Sequence, residues 1–321
     1  MNRRLFLRNT TMASFAFALP QISTAFAGKL KQAVKLGLIT DLHQDIMHDG
    51  YKRLSVFVGQ VKKQKPDAII QMGDFAYPKP ENASVIELFN QAHEKSLHIL
   101  GNHDTDAGYT KTQCLEVWGM PTPYYSANIQ GIKLIILDGN EQGSPTHKGG
   151  YASYIGPDQI VWLTKELEST EDPVLILSHQ PLAGTIAVDN EKEVQDLLSQ
   201  HSDKILLCVN GHSHIDQHLN IGNVNYLHVN SASYYWVGEK YKHAVYTEQI
   251  IEHHPYIAMT CPYEDSLFTF VTIDPKKMTV TVEGRKSSWE GESPDELGFQ
   301  IPGNPQLNRY IMPEIQNRKI S

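Results

Sequence analysis

Five short polar clusters carry side chains able to bind a metal ion. They are Asp41-Leu42-His43, Gly73-Asp74, Gly101-Asn102-His103-Asp104, the single His179, and Gly211-His212-Ser213-His214. Imidazole, carboxylate and one amide, with no thiolate, make a nitrogen and oxygen donor set that suits Mn, Fe or Zn. Histidine is plentiful, at 15 residues against 28 Lys plus Arg, and it is the commonest metal ligand. Residues i and i+2 of an extended segment point to one side. That spacing predicts that Asp41 and His43 reach one ion together, and that His212 and His214 do the same. Taken singly, such residues are ordinary turn, core or surface groups. Their combination, each at the end of an apolar run, is what points to metal chemistry.

The elements that must position them can be read from the same stretch. Apolar runs rich in β-branched residues cover 34–40, 68–72, 97–100, 133–137, 174–177 and 205–209. Their lengths predict buried strands. Amphipathic segments at 51–65, 84–94, 158–168 and 191–200 predict helices between them. This alternation defines an α/β class. Ligands in such sheets bind beyond the carboxyl ends of the strands, so clusters far apart in sequence can share one cleft. Glycines 73, 101 and 211 fit tight strand-to-loop turns. Beyond residue 220 the texture changes to strands at 225–229, 267–273 and 278–283. Asp274-Pro275-Lys276-Lys277 reads as a hairpin turn. A second sheet packed on the first is expected. Segment 286–321, with four prolines, reads as an extended surface tail.

The motifs D-x-H, G-D, G-N-H-D, a lone His and G-H-x-H resemble those of the calcineurin-like metallophosphoesterase superfamily, over about residues 34–285. The resemblance implies a sandwich of two mixed sheets flanked by helices, with two metal ions at the strand ends. It implies that Asp41, His43 and His214 hold one ion and that Asn102, His179 and His212 hold the other. Asp74 would bridge them. His103 would stand beside the metals and protonate the leaving group after in-line attack by a metal-bridging hydroxide. The substrate class implied is a small phosphorylated molecule, either a monoester or a diester. A pyrophosphatase acting on nucleotide sugars or lipid diphosphates is the alternative enzyme. A phospholigand-binding protein would be expected to have a broken ligand set. One position departs from the family pattern. Tyr77 stands where many members have Asp or Asn, a residue that orients the catalytic His in the protein-phosphatase branch. Purple acid phosphatases carry a Tyr ligand there, but His43 makes that role redundant, so packing or a hydrogen bond is expected of Tyr77. The partner of His103 stays open between Asp104 and Asp106.

The surroundings suggest further roles. Segment 140–154 is polar and glycine-rich, consistent with a mobile loop. Tyr234-Tyr235-Trp236 opens an aromatic and histidine-rich insert, about 234–265, that could shape the substrate pocket or simply cover the second sheet. His147 and His228 could belong to an outer site, and His253-His254 reads as a surface pair. Residues 1–27 read as an export signal, with Arg3, Arg4 and Arg8, an apolar stretch and Ala25-Phe26-Ala27. Arg3-Arg4 resembles a twin-arginine signal, which implies a periplasmic or extracellular destination. The apolar stretch is too short to span a bilayer, so no membrane span is expected in the mature chain. Cys208 lies in an apolar run, whereas Cys114 and Cys261 could pair after export. The net charge of −8 disfavours nucleic acid as a partner. It also means that attraction for an anionic substrate must be local, at the metals.

Overall fold

The computed structural model describes residues 30–321, so the expected export signal lies outside them. The chain lays down β1 (Val34–Ile39), α1 (Gly50–Gln64), β2 (Ala68–Gln71), α2 (Ala83–Asn90), β3 (Ser96–His98), α3 (Lys111–Trp118), β4 (Tyr125–Ile129) and β5 (Ile132–Leu137). There follow α4 (Pro157–Glu168), β6 (Val174–Ser178), α5 (Glu191–Gln200), β7 (Ile205–Asn210), β8 (Gln217–Ile221), β9 (Val224–His228) and β10 (Tyr234–Trp236). The remainder is α6 (Glu248–His253), β11 (Thr260–Pro262), β12 (Thr269–Asp274), β13 (Thr279–Val282), β14 (Arg285–Lys286), β15 (Glu314–Ile315) and β16 (Arg318–Ile320).

Two six-stranded mixed sheets result, ordered β16-β13-β12-β1-β2-β3 and β4-β5-β6-β7-β9-β8. Strands β1, β2 and β3 run parallel, as do β5, β6, β7 and β9. The two-residue period of a strand builds the layers. Val34, Leu36 and Leu38 of β1 and Ile132, Leu134 and Ile136 of β5 fill one core, which both sheets share. Ile39 joins Leu54, Phe57 and Val61 of α1 in a second core, on the helix side of the first sheet. Ile135 and Leu137 join Leu163, Leu167, Val194 and Leu198 of α4 and α5 in a third. This helix–sheet–sheet–helix layering is the two-sheet mixed sandwich expected from the sequence.

Most predicted elements differ by a residue or two at their ends. Helix α2 is the larger exception, stopping at Asn90 rather than 94. Beyond it the His93 side chain accepts the Lys95 N–H, and the Ser96 hydroxyl donates to the His93 carbonyl. These local side-chain bonds replace helical ones. The tail reading also needs correction. Within 286–321, β15 pairs with β14, and β16 forms the edge of the first sheet by pairing antiparallel with β13. Arg318 of β16 makes a two-pronged bond to buried Asp216, at 2.7 and 2.5 Å. The three cysteines are buried and free, with Cys114 and Cys261 in different apolar clusters. Among the described residues no helix is long and apolar enough to cross a membrane.

Candidate metal centre

The sequence clusters follow β1, β2, β3, β6 and β7, and the fold brings their side chains together. Donor atoms of Asp41, His43 and His214 lie within 4.8 Å of one another, and so do those of Asp74, His179 and His212. A third such group joins His43, Asp74 and His103. His212 and His214 therefore serve different groups, contrary to the i, i+2 reading. The reason lies in the backbone. Asp41 (φ 53°), His43 (φ 48°), Asp74 (φ 50°), His212 (φ 62°) and His214 (φ 49°) are all left-handed. These residues turn rather than extend, and alternation does not apply to them. Left-handed non-glycine residues are strained and cluster where structure is over-determined for function.

Close backbone approach depends on two glycines. A Cβ on Gly101 would sit 2.1 Å from the Asp74 nitrogen, and one on Gly211 would sit 2.0 Å from Thr40 Oγ1 and 2.6 Å from Asp41 Oδ2. Buried Asp104 ties the loops together by accepting four backbone N–H bonds. Its Oδ2 takes those of Gly101 (2.7 Å) and Asp74 (3.0 Å), and its Oδ1 those of Phe75 (2.7 Å) and Ala76 (3.3 Å). Burial and the Asp74 carboxylate push its pKa up to about 7, against the pull of these donors.

The imidazoles are oriented to present lone pairs inward. His214 Nδ1 pairs with the Tyr234 carbonyl at 2.8 Å, and His179 Nδ1 pairs with the Met72 carbonyl at 2.8 Å. A carbonyl only accepts, so each Nδ1 carries the proton and a neutral ring offers Nε2 as a donor of electrons. His214 Nε2 and His43 Nε2 face each other at 3.2 Å, with Asp41 Oδ1 3.0 Å from the former. The backbone N–H of His103 holds Asp74 Oδ1 at 2.8 Å. Asp74 Oδ2 then lies 3.6 Å from His43 Nε2 and 3.2 Å from His179 Nε2. His179 Nε2, His212 Nδ1 and Asn102 Nδ2 are buried without a hydrogen-bond partner. Orphaned buried imidazole nitrogens among carboxylates are what a metal site needs, and the donor set fits divalent ions.

Charge coupling within the cluster is strong. Burial alone would raise Asp41, but the His214 and His179 imidazoles bring it down to about 2. Burial lowers His179, yet Asp74 and Asp41 outweigh it and bring the ring up to about 9. His212 is driven down to about 3 by burial, then by His179.

Residues 34–216, more than half of the chain, match the calcineurin-like phosphoesterase family. The chain belongs to that family. It is a metal-dependent phosphoester hydrolase. Among solved structures it is similar to a dimetal phosphatase from Danio rerio, at 13% identity and TM-score 0.56, covering 81% of this chain and 98% of that one. It is also similar to GAP50, the anchor in the inner membrane complex of Plasmodium, at 13% identity and TM-score 0.53, covering 82% and 86%. Likeness at this identity concerns the fold. No curated protein matches the chain.

The remaining candidates of this phosphoesterase separate into those at the cleft and those behind it. The His103 side chain is 28% exposed, against 0–8% for Asp41, His43, Asp74, His179 and His214. Its Nδ1 is 2.7 Å from Asp106 Oδ2, so Asp106 is its partner and Asp104 is the loop anchor. Burial lowers the His103 pKa, but Asp74 and Asp106 raise it further. Tyr77 lines the cleft beside His43, Asp74 and His103. Its N–H bonds Asp45, its ring lies 5.5 Å from that of Tyr109, and burial pushes its phenol pKa up.

Tyr234 is buried with its ring 4.9 Å from His43 and 5.0 Å from His214, so it backs the ligands. Tyr235 packs instead against Phe299 at 5.4 Å, while Trp236 is exposed. The aromatic triplet therefore forms no common stacking face. His228 is buried behind the site, held between Ser213 Oγ (2.9 Å) and the Ala183 carbonyl (2.9 Å). His147 pairs loosely with Asp189 at 3.7 Å.

Two residues escaped the sequence reading. Gln180 donates to Asn102 Oδ1 at 3.1 Å and to Asn140 Oδ1 at 2.9 Å, fixing the Asn102 amide. Its place directly after His179 was the available signal. Tyr151, in the glycine-rich segment, lies 4.9 Å from the His103 ring, and sequence spacing gave no sign of that contact.

Proposed function

We propose that this phosphoesterase hydrolyses small phosphoesters at a pair of metal ions. Asp41, His43 and His214 would hold one ion, Asn102, His179 and His212 the other, and Asp74 both. The observation that carries the two-ion reading is the place of Asp74 Oδ2, between His43 Nε2 of one group and His179 Nε2 of the other. Bound there, Mn, Fe or Zn would supply Lewis acidity toward the phosphoryl oxygens and lower the pKa of water at the site.

The chain's own residues do the rest. Asn102 adds a donor without negative charge, which spares an anionic substrate from repulsion. His103 carries a proton on Nδ1 against Asp106 and turns Nε2 toward the substrate, where it protonates the departing oxygen. Protein reloaded with Mn or Zn should hydrolyse p-nitrophenyl phosphate or bis-p-nitrophenyl phosphate, and the ratio of the two rates assigns monoester or diester preference. Asp74→Ala should abolish both rates together with metal binding. His103→Ala should keep the metal and lose rate. Metal-loaded protein that turns over neither ester would support a binding role instead.

The proposal extends to export through residues 1–27. Replacing Arg3-Arg4 with Lys-Lys should retain the protein in the cytoplasm; unchanged export would refute the twin-arginine route.

A further inference from the structure

Resting on the assignment of His103 as proton donor, we infer that Tyr151 and Asp106 are positioning residues that aim it. Asp106 Oδ2 is a shared acceptor, receiving His103 Nδ1–H at 2.7 Å and the Tyr151 hydroxyl at 2.8 Å. The Tyr151 oxygen lies 3.4 Å from His103 Nδ1, and its ring lies 4.9 Å from the imidazole at a tilt of 56°. The imidazole is thus held at its back edge and along one side.

The two supports come from opposite sheets. Asp106 lies after β3 of the first sheet, and Tyr151 lies between β5 and α4 of the second. The loop that carries Tyr151 is pinned at its base, where Tyr154 N–H donates to the Gly139 carbonyl (2.8 Å) and Asp189 N–H to the Ser153 carbonyl (2.7 Å). Gly149 and Gly150, at φ 97° and 85°, turn the chain just before Tyr151. Tyr151 remains 47% exposed, so apolar burial is not what fixes it, and its hydroxyl proton goes to Asp106. This pair supplies the support that Tyr77, standing at the family's usual position, does not give.

In the step concerned, a water oxygen bonds to phosphorus, one of its protons passing to solvent, and the ester P–O bond breaks. The electron pair of that bond stays on the leaving oxygen, which takes the proton from His103 Nε2; solvent later restores that proton. A misaimed imidazole slows this transfer most when the leaving group is basic.

The experiment compares phenyl phosphate with 2,4-dinitrophenyl phosphate on metal-loaded protein (or the corresponding diesters, if diesters are preferred). Tyr151→Phe should lower kcat about tenfold for the basic leaving group and less than about threefold for the activated one. Asp106→Asn should do so more steeply, and Asp106→Glu should recover part of the loss. In the Asp106→Asn background, Tyr151→Phe should add no further loss, because it acts through that carboxylate. Equal losses on both esters, or additive losses in the double variant, would overturn the inference. His103→Ala separates the two levels. If His103→Ala shows the steep leaving-group dependence and Tyr151→Phe does not, the positioning role fails alone. If His103→Ala shows none, the proton-donor assignment fails and the inference falls with it.

Discussion

Asp104→Asn tests the claim that one buried carboxylate holds the metal loops. At about pH 8 the group is above the value of about 7 set by burial and Asp74, so both oxygens accept. Each oxygen serves two backbone N–H groups, Gly101 and Asp74 on one side, Phe75 and Ala76 on the other. An amide keeps one oxygen. Whichever way it is turned, its NH2 faces two N–H donors. Two buried N–H groups left without an acceptor cost ~1–3 kcal/mol each, or ~2–6 kcal/mol in all. That is a large share of the ~5–15 kcal/mol that holds a typical domain together. Urea unfolding of metal-free protein measures it directly, as a lower midpoint at unchanged slope. Asp106→Asn is the control: its side chain is 28% exposed and holds one imidazole and one hydroxyl, so its stability change should stay under ~1 kcal/mol. A loss under ~1 kcal/mol for Asp104→Asn would refute the anchoring role.

Three further outcomes follow from the geometry. Gly211→Ala should weaken metal binding ~10–100-fold by driving Thr40 and Asp41 aside, a change that titration calorimetry with Mn would read; unchanged affinity contradicts the packing argument. Arg318→Ala should cost ~3–5 kcal/mol, because it strands the Asp216 carboxylate in a buried setting. A thermal melt within a degree of the parent would refute that cost. Metal uptake near neutral pH should release about one proton, since His179 is raised to about 9 and must be neutral to ligate; calorimetry in buffers of different ionisation enthalpy counts it. In metal-free protein the sign is fixed by the same shifts. Stability from His179 is full below its ordinary value near 6.5 and is lost as pH rises through about 9. Stability from Asp41 is full above its ordinary value near 3.8 and is lost as pH falls toward 2.

The fold class and the convergence of the five clusters were legible because both rest on hydrophobic period and chain order. Leu36 and Leu38 on one face and Ile39 on the other follow directly from strand alternation. Alternation failed where the strands end. His212 and His214 are both left-handed, so strand alternation does not govern which group each joins, and left-handed His leaves no mark in sequence. Asp104 and Asp106 looked equivalent beside His103. The backbone kinks at Asp106 (ψ 171°) and Ala107 (φ 57°), which separates them, with one carboxylate in the loop core and the other on the imidazole. Tyr151 and Arg318 act across long sequence separations, so no local pattern could announce them. Tyr234, Tyr235 and Trp236 alternate across a short strand, which is why they cannot share one stacking face.

The order of strands has a kinetic consequence. All six strands of the second sheet lie in one continuous stretch between β3 and β10, whereas the first sheet joins β1, β2 and β3 to β12, β13 and β16. Closing the first sheet means bringing β1 to β12 across that entire stretch, an entropic toll that slows folding. The second sheet is therefore the natural early structure, and it carries His179, His212 and His214. Asp41, His43, Asp74 and Asn102 belong to the sheet that closes late. Metal affinity accordingly belongs to the docked pair of sheets, and in refolding it should emerge after most of the secondary structure has formed.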